Sequence, residues 1–343
     1  MRKLSFMMMI LVAAVLTAAC SNGSEQSNEV SGETAGGVSG TLSFYTSQPD
    51  ADAQALVDAF QKKYPDVEVE TFRSGTEEVI SKIQAEKQAG SVQADVLLVA
   101  DSVTFEGLKE EEMLLPYKSP EAEHIPDTFI DPDGAYTGTK VMATGLVVNT
   151  NEVKEIPDSW GVLTEKAAQG KALMPSPFYS GAAAYNLGIF TRQDNFGWDF
   201  YEKLKGNEMS VTKGNGGVLE AVAMGQKSYG MVVDYVAARA KKEGSPVEFI
   251  YPKEGVPVIT EPIGIMSGTD NEPAAQAFVD FALSEEGQQL AAELGYTPIR
   301  EGIEAPEGLQ TLDEMTVLQA DTAELLKARE EDKKQFGEVF GQQ

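Results

Sequence analysis

Four short junctions carry the residue types best suited to holding an anion. They are Tyr45-Thr46-Ser47-Gln48 before Pro49, Ser74-Gly75-Thr76, Ser180-Gly181-Ala182 and Asn215-Gly216-Gly217. Each stands where a helical pattern opens, and a helix begins with unpaired N–H groups and about half a positive charge. Small residues let a ligand approach that backbone closely. Several such ends converging on one space would coordinate a tetrahedral oxyanion without arginine or lysine. Ordinary capping uses the same residues: Ser74 and Glu77 fit an S-x-x-E capping box, and Gly216-Gly217 also fits a plain turn. Repetition of the pattern at successive strand ends favours the anion. The expected contacts are Ser47, Ser74, Gly75, Thr76, Ser180, Gly181 and Ala182.

Two further residues qualify. Asp234 would supply one carboxylate to a cleft of neutral donors, where it could pair with a ligand ammonium; aspartate is equally at home as a helix N-cap. Tyr235 would line the same cleft or pack in the core. A ligand of that kind would carry both an oxyanion and an amine. Asp101 reads first as an N-cap and second as a ligand contact. Enzyme chemistry finds little support. The chain has one histidine, His124, in the acidic stretch SPEAEHIPD, where exposure is expected. A Ser/His/Asp triad would have to use that residue, and G-x-S-x-G, H-E-x-x-H and Cys/His clusters are absent from the sequence. KGNGG lacks the Lys-Ser/Thr pair of a P-loop. Composition leaves room for a carboxylate-pair hydrolase, but neither an enzyme nor a cofactor is expected.

The elements that must position these residues alternate. TLSFYTS (41–47), DVEVETF and ADVLLVA (94–100) read as strands, and the segments after them as amphipathic helices. GLVVNTN (145–151), KALMPSP (171–177), SYGMVVDY and VEFIYP form a second strand series interleaved with helices, and EPIGIMSG (261–268) another strand. NEPAAQAFVDFALSEEGQQLAAELG and TAELLKAREEDKKQFGEVF (322–340) read as helices. This pattern predicts an α/β class protein of two lobes. Strand crossings are expected near 146–150 and 261–265, with the cleft at the C-terminal strand ends. Lobe 1 is expected over 41–148 plus 263–343 and lobe 2 over 149–262.

The start of the chain has its own grammar. Arg2 and Lys3 precede an apolar run, Phe6–Leu16, that is shorter than the roughly 20 residues a membrane span needs. It fits a signal peptide over 1–19. Cys20, the only cysteine, follows Ala18-Ala19 and is the expected lipidation site. Residues 20–40 read as a flexible tether, which places the folded part outside the cytoplasm on a membrane anchor. Without Arg2 and Lys3, 25 basic residues face 54 acidic ones. That balance argues against nucleic acid, and it means that an anion site must be built from local donors.

LSFYTSQPDADAQALVDAFQKKYPDVEVE, the SGT junction, ADVLLVADSVTFEGLKEEEMLLPY, TGLVVNTN, LMPSPFYSGAAAYNLG, MGQKSYGMVVDYVAARAKKEGSPVEFIYP and ELGYTPIR together resemble the extracellular solute-binding proteins of ABC importers. The group is that of ferric-iron, 2-aminoethylphosphonate and sugar-phosphate binders. The resemblance covers about residues 41–300. It implies a periplasmic-binding-protein-like fold that closes on a small ligand by hinge motion, a permease partner and a monomer. VVDYVAARAKKEG is similar to the segment where the family's iron binders place paired tyrosines. Position 234 is aspartate here, so ferric iron on Asp234 and Tyr235 stands as the alternative to a phosphonate or phosphate ester. Phe178, Tyr179 and Trp198 keep a polyamine or thiamine ligand open.

Overall fold

The computed structural model describes residues 37–341; the signal peptide and Cys20 lie outside the described residues. Strand and helix alternate at once: β1 (Gly40–Thr46), α1 (Asp50–Lys63), β2 (Val67–Arg73), α2 (Thr76–Ala89), β3 (Val96–Leu98) and α3 (Ser102–Glu110). Short β4 (Leu114–Leu115) and β5 (Thr137–Gly138) lead to β6 (Lys140–Asn149). Then follow β7 (Ala172–Pro175), α4 (Gly181–Thr191), α5 (Gly197–Gly206), β8 (Ser210–Thr212), α6 (Asn215–Ala223), β9 (Tyr229–Val233), α7 (Asp234–Lys242), β10 (Val247–Ile250) and β11 (Val258–Ile259). β12 (Pro262–Met266), α8 (Glu272–Leu283), α9 (Glu285–Glu293), β13 (Thr297–Pro298) and α10 (Thr322–Phe340) complete the series.

Two sheets result. The first has the order β2-β1-β3-β12-β4, with β5 on β12; the second has β10-β6-β9-β7-β8, with β11 and β13 on β6. Helical crossovers make β1 parallel to β2 and β3, and β7 parallel to β8 and β9. β12 and β6 each run antiparallel to their central neighbours. Phe44, Phe60 and Phe278 fill the core of the first sheet, with ring centroids 4.8 and 4.9 Å apart. Trp160 packs edge-on to Phe190 in the core of the second. This is the two-lobed α/β architecture that the alternation predicts.

The chain changes sheets earlier than expected. Thr139 and Lys140 both donate their N–H to the Thr260 carbonyl, at 3.0 and 3.2 Å. All ten residues of β6 are buried, and Leu146 pairs with Met231 in the second sheet. The crossing expected within 146–150 therefore falls at Thr139, because GLVVNTN is only the second half of a longer strand. Nor does 263–343 stay with the first sheet. β13 pairs with β6, and Leu325, Phe336 and Phe340 of α10 enter the second core. The single helix read over 271–295 is two. The Ser284 hydroxyl donates to the Phe281 carbonyl (2.7 Å), ending α8, and accepts from Gly287 N–H (3.2 Å), opening α9. Among the described residues no helix is long and apolar enough to cross a membrane.

Candidate functional site

The C-terminal ends of β1, β2, β3, β7, β8 and β9 surround a cavity of about 370 Å³. Its wall includes Ser47, Gly75, Thr76, Ser180, Gly181, Ala182 and Tyr235. Three helices begin there. α2 starts at Thr76 with Gly75 as N-cap and no side-chain cap. α4 starts at Gly181, where the Ser180 hydroxyl accepts from Ala183 N–H at 3.3 Å. α6 starts at Asn215 after Gly214, so the Gly216-Gly217 segment is a helix start and not a turn. The leading N–H groups of each have no intrahelical acceptor. The first junction differs: Pro49 is the N-cap of α1, its carbonyl takes the N–H groups of Asp52 and Ala53, and only Ser47 and Pro49 reach the wall.

Glycine is required at two of these starts by close approach. A Cβ on Gly75 would lie 2.5 Å from the Tyr179 ring, and one on Gly181 would lie 2.8 Å from the Thr76 side chain. The starts of α2 and α4 thus meet through the Tyr179 ring packed on Gly75 and the Thr76 side chain packed on Gly181. The Glu77 N–H also donates to the Tyr179 carbonyl at 3.3 Å, joining α2 to the loop before α4. Tyr179 itself lines the cavity beneath Lys213, whose Nζ sits 4.2 Å from its ring centre. Phe178 and Trp198 instead pack against the second core.

Several expectations need correction. Asp234 does not line the cavity. It is fully buried as the first residue of α7, accepting from Tyr235 N–H (2.8 Å) and the Tyr251 hydroxyl (3.2 Å). Burial lifts its carboxyl to about 7, against the lowering pull of these bonds and of the Ala143 amide. The carboxyl that was expected to meet a ligand ammonium is thus buried among neutral donors and is not among the residues lining the cavity. Ser74 stands off the wall too: its hydroxyl bonds Glu78, and the capping box with Glu77 does not form. Glu77 is drawn away by Arg329 and Lys333. Two other expectations hold: Asp101 is an N-cap, accepting from Thr104 N–H at 2.9 Å, and His124 is exposed.

Side-chain cations are also present where none was expected. Arg73 and Lys213 both line the cavity. Arg73 donates to the Gln48 carbonyl at 2.6 Å, and Lys213 pairs with Glu78 at 3.2 Å. The signal was legible, since each immediately precedes a small-residue junction, Arg73 before Ser74-Gly75 and Lys213 before Gly214-Asn215. Glu261 is the one carboxylate on the wall. It is buried and already engaged by Lys140 and by Gln48 Nε2. Met142, Val236 and Ile259 add an apolar floor. Beside them the Tyr235 ring lies 4.2 Å from that of Tyr296. Tyr296 donates to Asp52, which Arg239 grips with two bonds of 3.1 Å.

The comparisons with known proteins bear on the family and the fold. A family described as bacterial extracellular solute-binding protein matches residues 55–317. A probable ABC transporter periplasmic-binding protein of Sinorhizobium fredii is 28% identical over 272 residues, covering 76% of this chain and 74% of its own. The periplasmic binding protein AfuA of Actinobacillus pleuropneumoniae was solved with exogenous fructose-6-phosphate bound. It superposes with a TM-score of 0.81 at 25% identity, over 88% of this chain and 98% of its own. Iron-bound HitA of Pseudomonas aeruginosa superposes with a TM-score of 0.76 at 22% identity, over 87% of this chain and 99% of its own.

Proposed function

The chain belongs to the bacterial extracellular solute-binding proteins, and from that premise we propose that it captures a small phosphate ester or phosphonate in the cavity between its sheets. It passes this ligand to the permease of an ABC importer while anchored to the membrane through Cys20. One observation carries the reading: the N-termini of α2, α4 and α6 converge on a single cavity together with Arg73 and Lys213. Backbone donors, helix dipoles and two cations match a phosphoryl group, in a protein whose overall charge of −27 would otherwise repel it. Gly75, Thr76, Gly181 and Ala182 supply amides, and Ser47 and Ser180 hydroxyls. The volume suits a small organic ligand, with Met142, Ile259 and the Tyr235 ring against its non-phosphoryl part. Because Asp234 is not among the lining residues and Glu261 is already paired, a phosphate ester fits better than an aminophosphonate.

Ferric iron ranks below this. Asp234 and Tyr235 do not present oxygens to one space, and burial pushes the Tyr235 hydroxyl upward, away from the phenolate a hard cation prefers. The direct test is calorimetric titration of the purified chain, freed of bound ligand by unfolding and refolding. Fructose 6-phosphate, 2-aminoethylphosphonate and ferric citrate are run side by side. One-to-one binding of a phosphoryl compound without metal is expected, with the ligand recovered unchanged after hours. Silence there, with a tyrosinate-to-iron colour in the ferric cell, overturns the proposal. Thr76→Glu and Ser180→Glu should each weaken phosphoryl binding by at least about a hundredfold, since a fixed anion would occupy the ligand's place. Circular dichroism should stay native. Retained affinity removes those positions from the site.

A further inference from the structure

α10 is divided between the two sheets. Its apolar side belongs to the second: Phe336 stacks on Phe340 and meets Phe178 and Tyr201 edge-on, and Asp332 pairs with Arg192, the C-cap of α4, at 2.7 Å. Its Arg329 and Lys333, one turn apart, reach the first. Arg329 grips Asp101 with two bonds of 3.1 and 3.0 Å and Glu77 with a third of 2.8 Å. Lys333 holds the other Glu77 oxygen at 2.8 Å. All four side chains are largely shielded from water, between 0 and 15% exposed. Glu77 adjoins Thr76 and Asp101 adjoins Ala100, and both of those neighbours line the cavity. Two carboxylates therefore stand one residue behind the proposed anion site, in the first turn of α2 and at the cap of α3. Left unpaired there, each would repel a bound anion and compete for the helix dipole.

We propose that Arg329 and Lys333 are positioning residues of the anion site, which touch no ligand but neutralise Glu77 and Asp101 so that the end of α2 stays positive toward the cavity. The inference rests on the phosphoryl reading above. Burial works to raise the Glu77 carboxyl, yet Arg329 and Lys333 outweigh it and hold the group below the ordinary carboxylate range. Because the apolar side of α10 is fixed in the second core, the neutralisation also ties the charge at the first-sheet helices to the placement of the second sheet. Any opening of the cavity that carried α10 with the second sheet would uncover Glu77 and Asp101 beside the ligand.

The test is a double-mutant cycle on the full chain, with fructose 6-phosphate and inorganic phosphate as probes. Lys333→Met should weaken binding about tenfold, the scale of one uncompensated charge near an anion. Glu77→Gln should bind at least as tightly as wild type, and Lys333→Met with Glu77→Gln should return to within about twofold of Glu77→Gln alone. The wild-type and Lys333→Met affinities should converge as salt is raised. A purely structural contact would lower the melting temperature without this pattern of rescue. If the wild type binds both probes but Lys333→Met and Glu77→Gln each leave the Kd within about twofold, the inference fails and the phosphoryl reading stands. If the wild type binds neither probe, both fall.

Discussion

Asp101 and Asp234 occupy the same kind of corner and are held there by different partners. Each follows a buried apolar strand, each stands at the start of a helix, and each is 0% exposed. Asp101 receives two bonds from the Arg329 guanidinium, and burial still outweighs them and lifts its carboxyl above the ordinary carboxylate range. Asp234 receives only neutral donors, three backbone amides and the Tyr251 hydroxyl, and burial lifts its carboxyl to about 7. Position explains the difference. Asp101 adjoins Ala100 of the cavity wall, where an uncompensated carboxylate would oppose the proposed anionic ligand; Asp234 is not among the residues lining that wall and can hold a proton. A buried acid beside an anion site needs a cation, and one off its wall needs only polar contacts.

The largest effect separating the corners should come from Arg329→Met. Removing one partner of a buried ion pair strands the other, at a cost of about 3–5 kcal/mol. Urea unfolding at neutral pH should show this loss. A loss under about 1 kcal/mol would mean that Asp101 is neutral already, and the contrast between the corners would collapse.

Asp234→Asn comes next, read as a pH profile. A carboxyl whose folded pKa is raised contributes stability that is fully present below its unfolded pKa of about 4. That contribution is lost as pH rises through the folded value of about 7. Wild type should therefore lose stability relative to Asp234→Asn between those limits, by at most about 4 kcal/mol. The sign matters more than the size, since the asparagine also exchanges one acceptor for a donor. A flat difference across the range would show that Asp234 titrates in the fold as it does in the unfolded chain.

The sequence carried the elements well and their partners poorly. TAELLKAREEDKKQFGEVF (322–340) matches α10 residue for residue, and the strand-end junctions marked the cavity wall, because periodicity and small residues are local signals. Which face of a helix start a side chain takes is not local. Asp234 adjoins Tyr235, yet only Tyr235 reaches the cavity. Nor could local pattern show that Glu77 would leave its capping box for Arg329 and Lys333, more than 250 residues away. Arg73 and Lys213 lay in plain view beside their junctions. Their role went unread because net charge and the supply of backbone donors pointed to a site free of side-chain cations.

The smallest and sharpest probe of the comparison is Tyr251→Phe. The Tyr251 hydroxyl donates to Asp234 Oδ2 at 3.2 Å and accepts from Gln310 N–H at 3.1 Å. Phenylalanine keeps the ring and its edge-on contact with Phe249 but removes both bonds, for a loss of about 1–2 kcal/mol. The hydroxyl supports the charged form of Asp234, so its removal must raise that carboxyl further above 7. The pH difference between Tyr251→Phe and its Asp234→Asn double variant should then extend to higher pH than the wild-type pair shows. Coincident profiles would mean that burial and the backbone amides alone set the Asp234 corner. A shifted profile would show that a hydroxyl 17 residues along the chain does weakly for Asp234 what Arg329 does strongly for Asp101.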